Sequence, residues 1–123
     1  MKTCLDEGVP EGLERYLVGH EVSTVKREGW NSITNGTLLD LILKAGFEAF
    51  ITNDKRMERE QQLKRRPFAT VLLSTNHWPT MEPNIDKIAQ AVAGSKPGGV
   101  VRVECGRFVP NRFRKPSGPS LRS

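Results

Sequence analysis

Apolar positions along residues 1–105 switch between two rhythms, and each switch marks an element. Thr3-Cys4-Leu5 is short and β-prone, and it stops at Asp6-Glu7-Gly8. Pro10 suits a first helical turn, and Leu13, Tyr16 and Leu17 follow at helical spacing. Gly19-His20 breaks that helix, and residues 21–25 alternate as a strand does. Thr34-Asn35-Gly36 is a turn and cap signal. Leu38, Leu39, Ile42 and Leu43 then form an apolar helical stripe closed by Gly46. Residues 47–52 read as a buried strand ending at Asn53-Asp54, and a polar helix or loop runs over 55–66. Residues 69–73 are a further strand. Ile85, Ile88, Ala89 and Val92 mark another amphipathic helix, ended by Gly94, and residues 99–103 are the last strand. This β-α-β-α-β-α-β-α-β alternation predicts an α/β protein with a mostly parallel sheet and helices on both faces.

Composition narrows the classes. A chain of 123 residues is one domain's worth and can bury a core without staples. No stretch approaches the ~18 apolar residues of a membrane span. The opening residues Met1 to Glu7 are too polar for a signal peptide, and two cysteines make no disulfide framework, so a reducing cytoplasm is the expected location. The formal charge of +5 is unevenly placed. Residues 1–105 hold 14 basic and 14 acidic side chains, so the whole excess lies in 106–123. That segment carries Pro110, Pro116 and Pro119 without periodicity and reads as a basic extension.

Two strands end in acids, at Asp6-Glu7 and at Asp54. Open α/β sheets bind ligands beyond the carboxyl ends of their strands. If these strands are neighbours, Asp6 and Asp54 converge, and clustered carboxylates repel unless a cation lies between them. Hard oxygen ligands suit Mg²⁺ or Mn²⁺, which keep several waters and complete their shell with phosphate. The plain alternative is that an Asp after a strand caps a turn or the next helix.

A set of short motifs sharpens this reading. Leu5-Asp6-Glu7-Gly8-Val9-Pro10, Gly19-His20-Glu21-Val22-Ser23-Thr24-Val25, Glu28-Gly29-Trp30, Asn35-Gly36-Thr37-Leu38-Leu39, Phe50-Ile51-Thr52-Asn53-Asp54-Lys55 and Gln61-Gln62-Leu63 stand in order over about residues 2–104. Together they resemble a family of small bacterial PIN-like proteins regarded as toxin ribonucleases of toxin–antitoxin systems. The resemblance implies a three-layer α/β/α PIN-like fold with a central, mostly parallel five-stranded sheet. It implies a PIN-like domain over 1–105, with 106–123 as a basic C-terminal extension outside the match. It further implies cleavage of RNA by a Mg²⁺ or Mn²⁺ ion, with Asp6 and Asp54 as metal ligands. Glu7 follows Asp6 as in the family and is expected behind the ligands. The partners implied are RNA and a cognate antitoxin; a homodimer is a further candidate, and a membrane is not.

The chain departs from the family in two places. Thr37 stands where the family often has Glu, and Arg56 where many relatives have a second acid. Asp40, one turn beyond Thr37, is the candidate third catalytic acid; its plainer reading is an exposed pair with Lys44. Asn35 is placed to orient a metal-bound water or a phosphate oxygen. Two firm acids imply weak metal affinity, so the second reading is a weakened or inactive PIN-like scaffold that binds RNA or a protein. A phosphoacceptor receiver is a distant third, because residues 104–106 lack the Lys such a domain wants after its last strand.

The run Lys55, Arg56, Arg59, Lys64, Arg65 and Arg66 nets +4 over twelve residues with Glu58 and Glu60. Beside a metal site it would hold a phosphate backbone, with Lys55 positioning substrate and Arg59, Lys64, Arg65 and Arg66 binding RNA. The alternative is a solvated face. Gln61 and Gln62 match the family and suit hydrogen bonds to nucleotide or to the loop. Trp30 and Trp78 read as packing or rim residues, with base stacking as the functional alternative.

Overall fold

The computed structural model describes residues 1–59, 63 and 66–106, without the side chains of Glu58 and Arg59. The expectations for Gln61, Gln62, Lys64, Arg65, the Arg59 side chain and the extension from 107 onward lie outside the described residues. Five strands are present: β1 (Lys2–Leu5), β2 (Glu21–Thr24), β3 (Ala49–Thr52), β4 (Ala69–Leu73) and β5 (Val100–Val103). They form one sheet in the order β2-β1-β3-β4-β5, and every pairing is parallel. The helices are α1 (Asn35–Lys44), α2 (Lys55–Arg59), α3 (Trp78–Met81) and α4 (Ile85–Ala93).

The two-residue period of the strands builds a core on each face. Leu5, Ile51, Val71, Leu73 and Val103 point one way, onto Leu13 and Leu17 and onto Met81, Ile88 and Val92 of α3 and α4. Cys4 and Phe50 point the other way, onto Leu38, Leu39 and Ile42 of α1, with Met57, Leu63 and Phe68. Apolar clusters thus lie on both faces of the sheet, on the pattern of a three-layer α/β fold.

Some boundaries differ from the sequence reading. The segment Glu11–Tyr16 is a 3₁₀ helix with Pro10 before it rather than an α-helix. The eight residues between Pro10 and Gly19, whose φ is +87°, leave room for only a short helix, the length at which the tighter winding is common. Trp78–Met81 and a 3₁₀ turn over Glu82–Asn84 precede α4, an addition the apolar pattern did not signal. Helix α1 closes as expected at Gly46, with φ +84°. The Gly46 amide bonds to the Leu43 carbonyl and the Phe47 amide to the Ile42 carbonyl, the paired closure that a left-handed residue allows.

The connections set the site. The β2-to-β3, β3-to-β4 and β4-to-β5 crossovers all run in one direction across the sheet. Yet α1 and α2 pack on one face, and α3 and α4 on the other. The last crossover thus has the opposite hand to the two before it. The chain also reverses direction between β1 and β3, since β1 feeds β2 on one side and β3 adjoins it on the other. That reversal leaves a crevice at the carboxyl ends of β1 and β3.

Candidate functional site

Asp6 is the first residue beyond β1, and its amide still bonds to the Ile51 carbonyl at 2.9 Å. This extends the β1–β3 ladder by one rung and fixes where the carboxylate points. The side chain is almost fully buried, with 9% exposure. Its Oδ1 accepts the Glu7 amide at 2.7 Å, and its Oδ2 accepts the Thr52 hydroxyl at 2.6 Å. Burial pushes the Asp6 carboxyl above its ordinary range, against the pull of those two hydrogen bonds; the nearby charges of Asp54 and Glu7 add to the rise.

Asp54 comes from the end of β3, the strand beside β1. The Thr52 hydroxyl accepts the Asp54 amide at 3.0 Å, so one buried hydroxyl ties both acids together. Asp54 also stands just before α2, and its Oδ1 accepts the Arg56 amide at 2.9 Å, as a helix-capping side chain does. The capping alternative raised by the sequence is therefore met here as well. The Arg56 side chain returns to the same carboxylate, Nε to Oδ1 at 3.3 Å and Nη2 to Oδ2 at 3.4 Å. Partial burial pushes the Asp54 carboxyl up. Hydrogen bonds and charge from Arg56, with a hydrogen bond from Asn35, outweigh it, and the net shift is downward.

These groups line one cleft of about 450 Å³ with Glu7, Gly8, Asn53, Trp30, Ile33 and Leu38. Polar Asp6, Asp54, Asn35, Asn53 and Arg56 line it together with apolar Trp30, Ile33 and Leu38, and Trp30 stands edge-on to Phe47 at 6.2 Å. Gly8 makes room for Asn53: a Cβ there would lie 2.9 Å from Asn53 Oδ1. Glu7 lines the rim, and its Oε1 accepts the Ser32 amide at 3.5 Å. Ser32 has φ +63°, so this contact joins the acid turn to a bent loop residue.

Other candidate residues are placed elsewhere. Asp40 is exposed on α1 and pairs with Arg66 Nη2 at 3.1 Å; the expected pair with Lys44 is replaced by this longer-range one. Arg66 also donates to the Gly36 carbonyl at 3.2 Å, so its Nη2 is engaged with α1 twice, while its buried Nε has no hydrogen-bond partner among the described residues. Thr37 is exposed in the first turn of α1 and accepts the Thr34 hydroxyl at 3.4 Å. Lys55 faces a second cleft of about 310 Å³ with Leu72, Leu73, Ser74, Arg102, Val103 and Glu104. Burial first, then the charges of Asp6 and Glu28, push the Cys4 thiol up to about 12, which excludes it as a thiolate.

The sequence reading placed Thr52, Asn53 and Gly8 within its motifs but gave none of them a role at the site. Only the strand-end position of Thr52, two residues before the acid, signalled it.

The donor set fits a hard divalent ion that keeps much of its water, the kind of ion held by one or two carboxylates. The charge of Asp54 adds to the rise of the Asp6 carboxyl, as expected of two acids lining one cleft. The set is not a closed cage: among the described residues, no group of three His, Cys, Asp or Glu side chains is arranged to hold a metal ion.

Fold and cleft define an α/β protein with a five-stranded all-parallel sheet and a two-carboxylate site at its switch point. Comparison with protein-family models, curated proteins and solved structures gives no match.

Proposed function

We propose that this chain is a PIN-like, metal-dependent endoribonuclease of the toxin type, acting on RNA phosphodiester bonds at the Asp6–Asp54 cleft. The observation that carries the reading is the convergence of these two acids through Thr52 at the β1–β3 crevice. Asp6 and Asp54 would hold Mg²⁺ or Mn²⁺, with the Asn35 amide beside them. Such an ion, when bound, lowers the pKa of a water and neutralises charge on a phosphodiester. The protein's own part is to fix the two carboxylates, orient the strand and shield the reacting group. Thr52 and the Glu7 amide lock Asp6 against rotation. Asn35 and Asn53 offer amide donors along the cleft, and Arg56 offers a phosphate contact. Lys55 would receive the strand where it leaves the cleft. A cognate antitoxin, or a second copy of the chain, is the protein partner this reading entails.

The test is incubation of the pure protein with RNA and Mn²⁺ beside an Asp6→Asn/Asp54→Asn double variant. Cleavage by the parent and none by the variant is expected; equal cleavage by both sinks the reading.

A second reading is a PIN-like scaffold that binds RNA or a protein without cleaving. One observation favours it: Arg56 already occupies the Asp54 carboxylate. Calorimetry separates the two, because a scaffold takes up no stoichiometric Mn²⁺ at Asp54.

A further inference from the structure

Arg56 occupies the position where the resembled pattern has an acid, and it meets Asp54 through three donors. Its guanidinium forks across both carboxylate oxygens, the same atoms a divalent ion would need. The Arg56 side chain is 72% exposed, whereas that of Asp54 is 19% exposed. The arginine side chain therefore lies mostly toward solvent, while the acid sits deeper in the cleft. Arg56 also lines the cleft itself, so a phosphate entering there meets the guanidinium directly.

We propose that Arg56 is a built-in counter-cation: it holds Asp54 in the free protein and exchanges it for a substrate phosphodiester, so that nucleic-acid binding frees the metal ligand. This rests on the ribonuclease reading above. The chemistry is a partner exchange with no bond made or broken. A planar guanidinium suits a carboxylate and a phosphate equally well, and both contacts are charge-assisted and bidentate. Cation binding without nucleic acid must displace Arg56 into water and is weakened by that amount. With a phosphate present, the displaced guanidinium has a new anion, and the penalty disappears.

The experiment is calorimetric titration of Mn²⁺ into the full chain, its Arg56→Ala variant and the Asp6→Asn/Asp54→Asn variant. Each is run with and without oligothymidylate, a phosphodiester strand that a ribonuclease does not cut. The exposed Arg56 position leaves folding intact, which circular dichroism verifies. Without the strand, Arg56→Ala is expected to bind Mn²⁺ about tenfold more tightly than the parent, by loss of the competing bidentate contact. Adding the strand is expected to tighten Mn²⁺ binding more in the parent than in Arg56→Ala. Equal affinity of the two proteins without the strand overturns the proposal, as does an equal gain on adding it. Persistence of the titration in the double variant instead removes the ribonuclease reading on which the proposal rests.

Discussion

The Thr52 hydroxyl donates to Asp6 Oδ2 at 2.6 Å and, from its other side, accepts the Asp54 amide at 3.0 Å. Thr52 is fully buried at the end of β3, and its side chain crosses from that strand to the acid on β1. One oxygen atom thus sets the aim of one carboxylate and the turn that carries the other.

Thr52→Val keeps the shape of the side chain and deletes the tether. Asp6 loses a donor to its charge, and the Asp54 amide loses its acceptor. The bond to the Asp6 carboxylate contributes about 1.5–3 kcal/mol and the neutral one to the Asp54 amide about 0.5–1.5 kcal/mol, so a loss of roughly 2–4 kcal/mol of stability is expected at pH 7. Thr52→Ser keeps the hydroxyl, so its loss should be the smaller one, confined to a buried methyl. Urea denaturation of the three proteins measures this. A Ser variant as unstable as the Val variant would show that packing, not the hydrogen bond, is what Thr52 supplies.

Asp6 gives a pH dependence with a definite sign. Its carboxyl is raised in the folded protein by burial, so the folded state holds the proton more tightly than the unfolded chain. The stability this contributes is fully present below the unfolded pKa of ~3.9 and is lost as pH rises through the raised folded value. At neutral pH the ionised, buried Asp6 therefore costs stability. Asp6→Asn, which can still accept the Glu7 amide and donate to Thr52, should raise the melting temperature at pH 7–8 by about 2–5 °C. The gap should close as pH falls toward ~4. Asp54 runs the other way: its lowered carboxyl contributes stability that is lost on acidification, so Asp54→Asn should show no such gain at neutral pH. Melting curves of both variants from pH 4 to pH 8 decide the matter.

Much of the sheet was legible because buried parallel strands are short apolar runs with punctuation on both sides. Residues 69–73 and 99–103 stood out for that reason, whereas the neighbouring of β1 and β3 was only a condition in the sequence reading and is supplied by the structure. The 3₁₀ winding of Glu11–Tyr16 was not legible, since Leu13, Tyr16 and Leu17 fit three residues per turn as well as 3.6. The site was half legible. Asp6 and Asp54 lie at strand ends, where position alone fixes direction. Asp40 lies on a helix, where its partner depends on a chain segment 26 residues further on, and local spacing pointed wrongly to Lys44. The side chain of Arg56 folds back on Asp54, a choice made by charge within the cleft and invisible to periodicity.

The pairing of Asp40 with Arg66 leads to the last prediction. Asp40 is 72% exposed, so its ion pair is worth only about 0–1 kcal/mol, and its carboxylate does not reach the cleft wall. Asp40→Asn should leave RNA cleavage within about twofold of the parent and stability within roughly 0.5 kcal/mol. Arg66 is the more important partner, because its side chain is only 17% exposed and it also holds the Gly36 carbonyl in the first turn of α1. Arg66→Ala removes that bond and a buried aliphatic stem, for an expected loss of about 1–2 kcal/mol. Cleavage assays and urea titrations on the two variants test both halves. A collapse of cleavage in Asp40→Asn, with stability unchanged and comparable to the collapse in Asp54→Asn, would make Asp40 a third catalytic acid after all.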